Sequence, residues 1–227
     1  MNKLLSLLQL CDPALPIGGF SHSAGLETYV QLGLVKCKRT AEEFIRAQLS
    51  QNIFYTDAVF VSLAYDAVQG NDFETLLKLD EECTAVKLPK EMRQASQKLG
   101  LRLLKIFASF QQHVLVSNYR KAIVSGEASG HYGLAFGLLA CVLDVPKKET
   151  LTGFFYNSAA SVVTNCVKLI PLGQVEGQAV LFSLHQLIEA LAEQCLTPNR
   201  DLIGLCCTGF DIRCMQHERL YSRLYMS

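Results

Sequence analysis

The sequence predicts an all-α protein, a single-domain helical bundle of roughly eight to ten helices. Hydrophobic residues recur at the three- and four-residue spacing of amphipathic helices along almost the whole chain. No two runs of alternating polar and apolar residues face each other across a hairpin turn, so no sheet is predicted. Half of the 227 residues are hydrophobic and 19% are charged, a composition that supports one sizeable core.

The first two helices are predicted on either side of a proline- and glycine-rich break. Leucines between positions 4 and 8 indicate a short first helix, and residues 11–20 interrupt the pattern. Ser21 or Ser23 is expected to cap a second helix, because serine hydroxyls accept hydrogen bonds from free amides at helix starts. That helix is expected to extend to Leu32.

A capping box marks the start of the longest helix in the first half of the chain. Thr40 is expected to be its N-cap, with Glu43 three residues further on, and the apolar spacing continues to Val68. The same N-cap pattern at residues 71–74 starts another helix, which stops before Pro89. Pro89 in turn opens the following helix as its first residue.

The second half is helical after one ambiguous region, residues 111–130. Within it, residues 113–116 either extend the preceding helix or form a short extended piece, and residues 125–130 form a loop. Four more helical segments are predicted, the last of them only weakly helical: 132–143, 146–169, 174–194 and 211–227.

The stretch from Ala122 to Ile188 is poor in charge, with only seven ionisable acidic or basic side chains. Gly133, Gly137 and Cys141 form a stripe of small residues that lets another helix come close. Helices with so few charges must be covered on most faces. Two explanations stay open: a central pair of core helices, or a subunit or partner interface.

The charge balance excludes several function classes. Basic and acidic side chains number 21 each, so the chain lacks the basic surplus that nucleic-acid binding requires. No uncharged stretch reaches the roughly 20 apolar residues of a membrane span. The nine cysteines are odd in number, irregularly spaced and without C-x-x-C, which indicates reduced thiols in a cytosolic protein.

The common enzyme motifs are missing. The chain has no phosphate-binding G-x-x-x-x-G-K-[ST] loop and no G-x-G-x-x-G turn between a strand and a helix. Ser21 beside His22 lacks the last glycine of G-x-S-x-G, and His217-Glu218 is not followed by the second histidine of H-E-x-x-H. We therefore expect no catalytic residues, no cofactor and no resident metal.

Three features have both a structural and a functional interpretation. Cys206, Cys207, Cys214 and His217 offer soft ligands for zinc or nickel, although adjacent cysteines fit one tetrahedral site poorly and free thiols are the stronger explanation. Lys168 is either a solvated residue at a helix end or a charged contact on an apolar face. The segment 215–225 contains tyrosine, arginine and leucine, residue types of interface hot spots, and either packs on its own core or orders on a partner.

Four blocks of sequence resemble the UreF family of urease accessory proteins. They occur in the family order and span both ends and the middle of the chain, and residues 70–127 match least. The blocks are LQL at 8–10 with DPALPIGGFS at 12–21 and GLE at 25–27, GHYGLAFG at 130–137, KLIPLGQ at 168–174 with GQ at 177–178, and MQHE at 215–218 with LYSRL at 220–224.

The resemblance implies an all-α, dimeric, cytoplasmic protein without a reaction of its own. Such proteins join UreD (also called UreH) and the GTPase UreG on the urease apoprotein, and the complex inserts nickel in a GTP-dependent way. Lys168 then corresponds to a basic position that engages the GTPase. The tail, Tyr221 to Ser227, corresponds to the segment that docks on UreD/UreH. The residues that the resemblance assigns to partner binding are Phe20, His22, Lys168, Tyr221, Ser222, Arg223, Leu224 and Tyr225.

Overall fold

The computed structural model describes residues 2–19, 22–23, 25–205, 207–221 and 223–225. Over these ranges the chain is helical and has no strand, which confirms the predicted fold class. The segments in chain order are α1 (Lys3–Leu10), α2 (Leu26–Gln31), α3 (Lys38–Ala47), a π-helix (Gln48–Ala58), α4 (Val59–Gln69), α5 (Phe73–Val86), α6 (Lys90–Ala108), α7 (Val114–Ser125), α8 (Tyr132–Val142), α9 (Lys147–Leu169), α10 (Gln174–Ser183), α11 (His185–Gln194), a 3-10 turn (Arg200–Leu202) and α12 (Thr208–His217).

The described chain contains eleven continuous helices, because the π-helix joins α3 to α4 without a break. This is one more than the upper end of the predicted range. The difference arises at Leu184, where the predicted helix 174–194 divides into α10 and α11. The backbone carbonyl of Ser183 there accepts a hydrogen bond from the Arg46 guanidinium at 3.0 Å, a tertiary contact that helical periodicity cannot reveal.

The prediction that a serine caps the second helix was wrong. α2 begins at Leu26, and its N-cap is Gly25, which has a φ of 77°. Such a positive φ favours glycine over residues with a side chain. The hydroxyl of Ser23 is buried and has no hydrogen-bond partner among the described residues. Ser21, the other candidate cap, lies outside the described residues.

The long helix begins three residues earlier than predicted. Cys37 is the N-cap of α3, and Thr40 is the third helical residue rather than the cap. The Thr40 hydroxyl accepts hydrogen bonds from the backbone amides of Lys36 at 3.0 Å and Cys37 at 3.1 Å. Thr40 therefore satisfies free amides of this helix start from inside the helix, which explains why its capping signal was visible but misplaced.

The ambiguous region 111–130 contains a separate helix, α7. His113 is its N-cap, and the imidazole Nδ1 accepts a hydrogen bond from the Leu115 amide at 3.3 Å. Gly126, with a φ of 82°, ends the helix. The start was hard to predict because serine, threonine, aspartate and asparagine are the usual caps, and histidine is not.

The centre of the protein is the contact of α8 with α4 and α6. Eight of the eleven α8 residues are buried, which confirms the core explanation for this part of the charge-poor stretch. A Cβ atom on Gly137 would collide with the carbonyl oxygen of Val61 in α4, and one on Gly133 would lie 3.0 Å from the carbonyl oxygen of Asp57. The small-residue stripe thus lets the α8 and α4 backbones touch.

A buried carboxylate fixes the chain where it enters α8. Asp80 of α5 is 1% exposed and accepts a hydrogen bond from the Tyr119 hydroxyl at 2.6 Å. It also accepts hydrogen bonds from three consecutive backbone amides, those of residues 129–131. Four donors from two segments therefore converge on one side chain, and they hold α5, α7 and the start of α8 together.

Two further sequence expectations concern thiols and membranes. The eight described cysteines are free, and Cys83, Cys166, Cys195 and Cys214 are buried. Burial raises the pKa of Cys166 and of Cys195 to about 12, so both behave as small apolar groups. In the described part of the chain, no helix is both long enough and apolar enough to cross a bilayer.

Candidate functional site

The C-terminal segment lies against α2 and α6 rather than extending away from the protein. α12 packs on both of these helices, and the described residues after His217 have no regular secondary structure. Gly25 permits the contact with α2, because a Cβ atom there would lie 2.7 Å from the Cys214 sulfur. The tail therefore starts from a helix that is fixed to the core.

The described part of the tail is anchored through its backbone. The amides of Leu224 and Tyr225 donate hydrogen bonds to the two carboxylate oxygens of Glu27, at 2.8 and 3.3 Å. The Arg223 guanidinium donates a hydrogen bond to Glu91 of α6 at 2.8 Å. Tail residues are thus held by acidic side chains on two different helices.

The tail side chains divide between the core and the surface. Tyr225 is 6% exposed, whereas Leu224 is 68% exposed and Tyr221 is fully exposed. Ile212 and Met215 of α12 are also exposed apolar side chains. The sequence left open whether this segment packs on its own core or becomes ordered on a partner. The described tail backbone and Tyr225 pack on the core. Tyr221 and Leu224 remain available to a partner, and Ser222 lies outside the described residues.

Lys168 is exposed in the last turn of α9. Residues 170–173 turn the chain into α10, as predicted, and the amide of Gly173 donates a hydrogen bond to Glu176 at 3.0 Å. α10 leaves Val175 and Phe182 highly exposed. The interface explanation of the charge-poor stretch therefore remains a prediction for this surface.

His22 is half-buried beside α9. Its carbonyl oxygen accepts a hydrogen bond from the Asn165 side chain at 2.9 Å, one helical turn before Lys168. Burial lowers the pKa of His22, and the nearby charges of Lys98 and Arg102 lower it further. The residue also lines a groove of about 460 Å³. Phe20, the other candidate in this block, lies outside the described residues.

The thiol cluster does not assemble a metal site in the described residues. Both ring nitrogens of His217 face carboxylates: Nδ1 lies 2.9 Å from Glu91 and Nε2 lies 3.1 Å from Glu27. Burial raises the pKa of Cys214 far above its usual range, which disfavours the thiolate that metals bind. Among the described residues, no group of three or more His, Cys, Asp or Glu side chains is arranged so that it could hold a metal ion, and Cys206 lies outside these residues.

We expect equilibrium dialysis of the whole chain with Ni²⁺ or Zn²⁺ to show no stoichiometric binding that depends on the cluster. Cys207→Ser and Cys214→Ser should leave any weak binding unchanged, because His217 is already engaged by carboxylates. Cys37→Ser, at an exposed thiol elsewhere, is the matched control. Tight binding that both cluster substitutions remove, and the control does not, would support a metal-carrier function instead.

Glu27 and Glu91 are the residues of this site that sequence reasoning missed. Glu27 belongs to the GLE block at 25–27, so a signal for it existed in the resemblance. Glu91 had no signal, because its partners lie more than a hundred residues further along the chain. The sequence offers His217 as a metal ligand, whereas the structure places both of its ring nitrogens within hydrogen-bond distance of these two carboxylates.

The comparisons with known proteins agree with the sequence blocks. The family model described as UreF matches residues 35–185. The chain is 47% identical over 227 residues to the urease accessory protein UreF of Actinobacillus pleuropneumoniae serotype 5b (strain L20), with both chains covered completely. It is 45% identical over 227 residues to that of Haemophilus influenzae (strain PittGG), covering all of this chain and 97% of the relative.

A more distant relative extends the match. The urease accessory protein UreF of Lachnoclostridium phytofermentans (strain ATCC 700394 / DSM 18823 / ISDg) is 36% identical over 226 residues, which cover all of this chain and 99% of the relative. Full-length similarity at these identities, together with the family-model match and the all-helical fold, leaves one assignment. The chain belongs to the UreF family of urease accessory proteins.

Proposed function

We propose that this chain is a subunit of a nickel-insertion chaperone that acts in urease maturation in the cytoplasm. It works as a homodimer, with no catalytic residues and no cofactor of its own, and scaffolds UreD/UreH and the GTPase UreG on the urease apoprotein. The support comes from the names of its relatives, all urease accessory proteins. Nickel is the cargo of the complex, and GTP held by UreG supplies the free energy.

The observation that carries the proposal is the arrangement of the tail. Its backbone is bound to Glu27, while Tyr221 and Leu224 are presented to solvent. A segment that is ordered in advance loses less conformational entropy when a partner binds. Exposed tyrosine and leucine on a fixed backbone suit a docking surface for another protein, and UreD/UreH is the partner we assign to it.

The scaffold contributes differential binding rather than chemistry. If it binds UreG more tightly in one nucleotide state than in another, linkage requires that nucleotide state and complex assembly influence each other equally. Nickel release is thereby coupled to the presence of the correct target. The direct test is a pull-down with the full-length tagged chain from cells that express the urease genes. Recovery of UreD/UreH and UreG supports the scaffold, and recovery of neither contradicts it.

Lys168→Ala is expected to weaken recovery of UreG by about tenfold, the effect of losing about 1.4 kcal/mol from a charged contact. Helicity should hardly change, because the side chain is exposed in the last turn of α9. The measurement is UreG recovered per mole of chain, together with the circular dichroism spectrum. Lys121→Ala, at an exposed lysine of α7, is the matched control. Equal UreG recovery with both variants would contradict the role of Lys168.

A further inference from the structure

We propose that Glu27, Glu91 and His217 form a protonation-dependent clamp that positions the tail for docking. The clamp joins α2, α6 and α12, and the tail adds Arg223 to it. Its consequence for partner binding rests on the proposed function, whereas the clamp itself is a property of the isolated chain. The three residues act as positioning residues, because they hold the tail and leave Tyr221 and Leu224 to meet the partner.

The geometry requires a particular protonation state of His217. Both ring nitrogens lie within hydrogen-bond distance of a carboxylate oxygen, and an ionised carboxylate only accepts hydrogen bonds. A neutral imidazole has one N–H, so its other nitrogen would direct a lone pair at a carboxylate. Only the doubly protonated imidazolium donates to both Glu27 and Glu91.

The clamp is balanced in charge and largely withdrawn from water. The side chains of His217, Glu27 and Glu91 are 1%, 6% and 20% exposed, and that of Arg223 is 37% exposed. With His217 protonated, two positive groups face two carboxylates. Loss of that proton leaves a net negative charge among buried groups, and burying such an uncompensated charge is costly.

The other titratable groups around His217 do not replace its charge. Cys214, on the same helix, is held as the neutral thiol by burial, which raises its pKa. Burial likewise raises the pKa of Tyr225, with the Glu27 charge adding to the effect. His22, which interacts with Glu91 electrostatically, has its pKa lowered by burial and further by Lys98 and Arg102, which favours its neutral form. Arg223 keeps its charge at every accessible pH and already faces Glu91.

Glu27 transmits the protonation state of His217 to the tail. The same carboxylate contacts the imidazole and accepts the hydrogen bonds of the Leu224 and Tyr225 amides. When the ring loses its proton, Glu27 loses its charge partner and gains stability by turning toward water. The two tail amides then lose their acceptor. The clamp is therefore closed while the imidazolium of His217 faces two ionised carboxylates, and it opens when the ring loses its proton.

The test is hydrogen–deuterium exchange of the Leu224 and Tyr225 amides in the isolated full-length chain. Protection is calculated against the denatured chain at each pH, so that the intrinsic pH dependence of exchange cancels. We expect protection to fall by about tenfold or more as the pH is raised from about 6 to about 9, because imidazole is the side-chain group whose charge ordinarily changes near neutral pH. In His217→Gln, protection should no longer depend on pH.

Two further variants keep the test sharp if His217→Gln perturbs folding. Glu91→Gln removes one carboxylate partner, so the fall in protection should move to lower pH. His185→Gln changes an exposed histidine of α11 and should leave the wild-type profile unchanged. A wild-type profile that is flat with pH, or a Glu91→Gln profile identical to it, overturns the clamp. Because no partner is present, either result leaves the docking proposal standing.

Discussion

Removal of residues 221–227 is expected to abolish co-purification of the chain with UreD/UreH and to leave the helical fold intact. The last helix ends at His217, and the described tail is bound to the core mainly through Glu27, Glu91 and the buried Tyr225. Truncation therefore removes the exposed docking side chains and little of the hydrophobic core. The measurements are a pull-down with UreD/UreH and circular dichroism of the truncated chain.

A point-variant version separates docking from folding. Tyr221→Ala combined with Leu224→Ala keeps the backbone hydrogen bonds to Glu27 and removes only exposed side chains. Two hot-spot residues worth about 1–2 kcal/mol each would reduce the affinity by roughly 30-fold or more. Val124→Ala, which is 84% exposed on α7, is the control for loss of a surface apolar group. Normal binding by the double variant would refute the assignment of the tail.

Asp80→Ala is expected to produce the largest loss of stability of any single change discussed. It removes the shared acceptor of the Tyr119 hydroxyl and of three backbone amides in residues 129–131. Each buried donor left unpaired costs about 1–3 kcal/mol, so the free energy of unfolding should fall by about 4 kcal/mol or more. The free energy of unfolding of native proteins is only about 5–15 kcal/mol, so the Asp80→Ala variant should be close to unfolding. Urea denaturation followed by circular dichroism measures this loss.

Two substitutions calibrate that result. Asp80→Asn keeps one acceptor oxygen in the same shape and should cost less than Asp80→Ala. Lys78→Ala, on the same helix, removes an exposed i,i+4 pair with Glu74 and should hardly change the free energy of unfolding, because solvent screens such a pair. If Asp80→Ala were no more destabilising than Lys78→Ala, the buried network would not hold α8 in place.

The sequence predicted the helices well wherever local spacing determines them. The apolar periodicity located the core of α9. Pro89 and Pro146 marked the starts of α6 and α9 to within one residue, since each is the N-cap rather than the first helical residue. Prediction failed where the signal is not local or not usual. The histidine cap of α7 is an uncommon choice, and the division at Leu184 accompanies a hydrogen bond from Arg46, 137 residues away.

The candidate site was predictable only in part, for the same physical reason. Composition marked the segment 215–225, and the resemblance assigned tail residues to partner binding, but neither could tell which of its side chains are exposed and which are buried. The contact of His217 with Glu27 spans 190 residues, and no spacing rule connects such positions. Spacing placed His217 beside Cys214 and suggested metal ligands. Packing of α12 on α2 and α6 instead places its ring between two carboxylates.

The π-helix between α3 and α4 determines which side chains of these two helices lie on the same face of the continuous helix that they form. Hydrogen bonds in a π-helix span five residues instead of four, so each turn holds extra chain and shifts the angular phase of the α4 residues relative to α3. The N-terminal end contacts α10 through Arg46, and the C-terminal end lies against α8. Each residue of an α-helix turns about 100°. Deleting one residue from 48–58 would therefore rotate α4 about the helix axis relative to α3. The continuous helix could then no longer contact α10 at its N-terminal part and α8 at its C-terminal part at the same time.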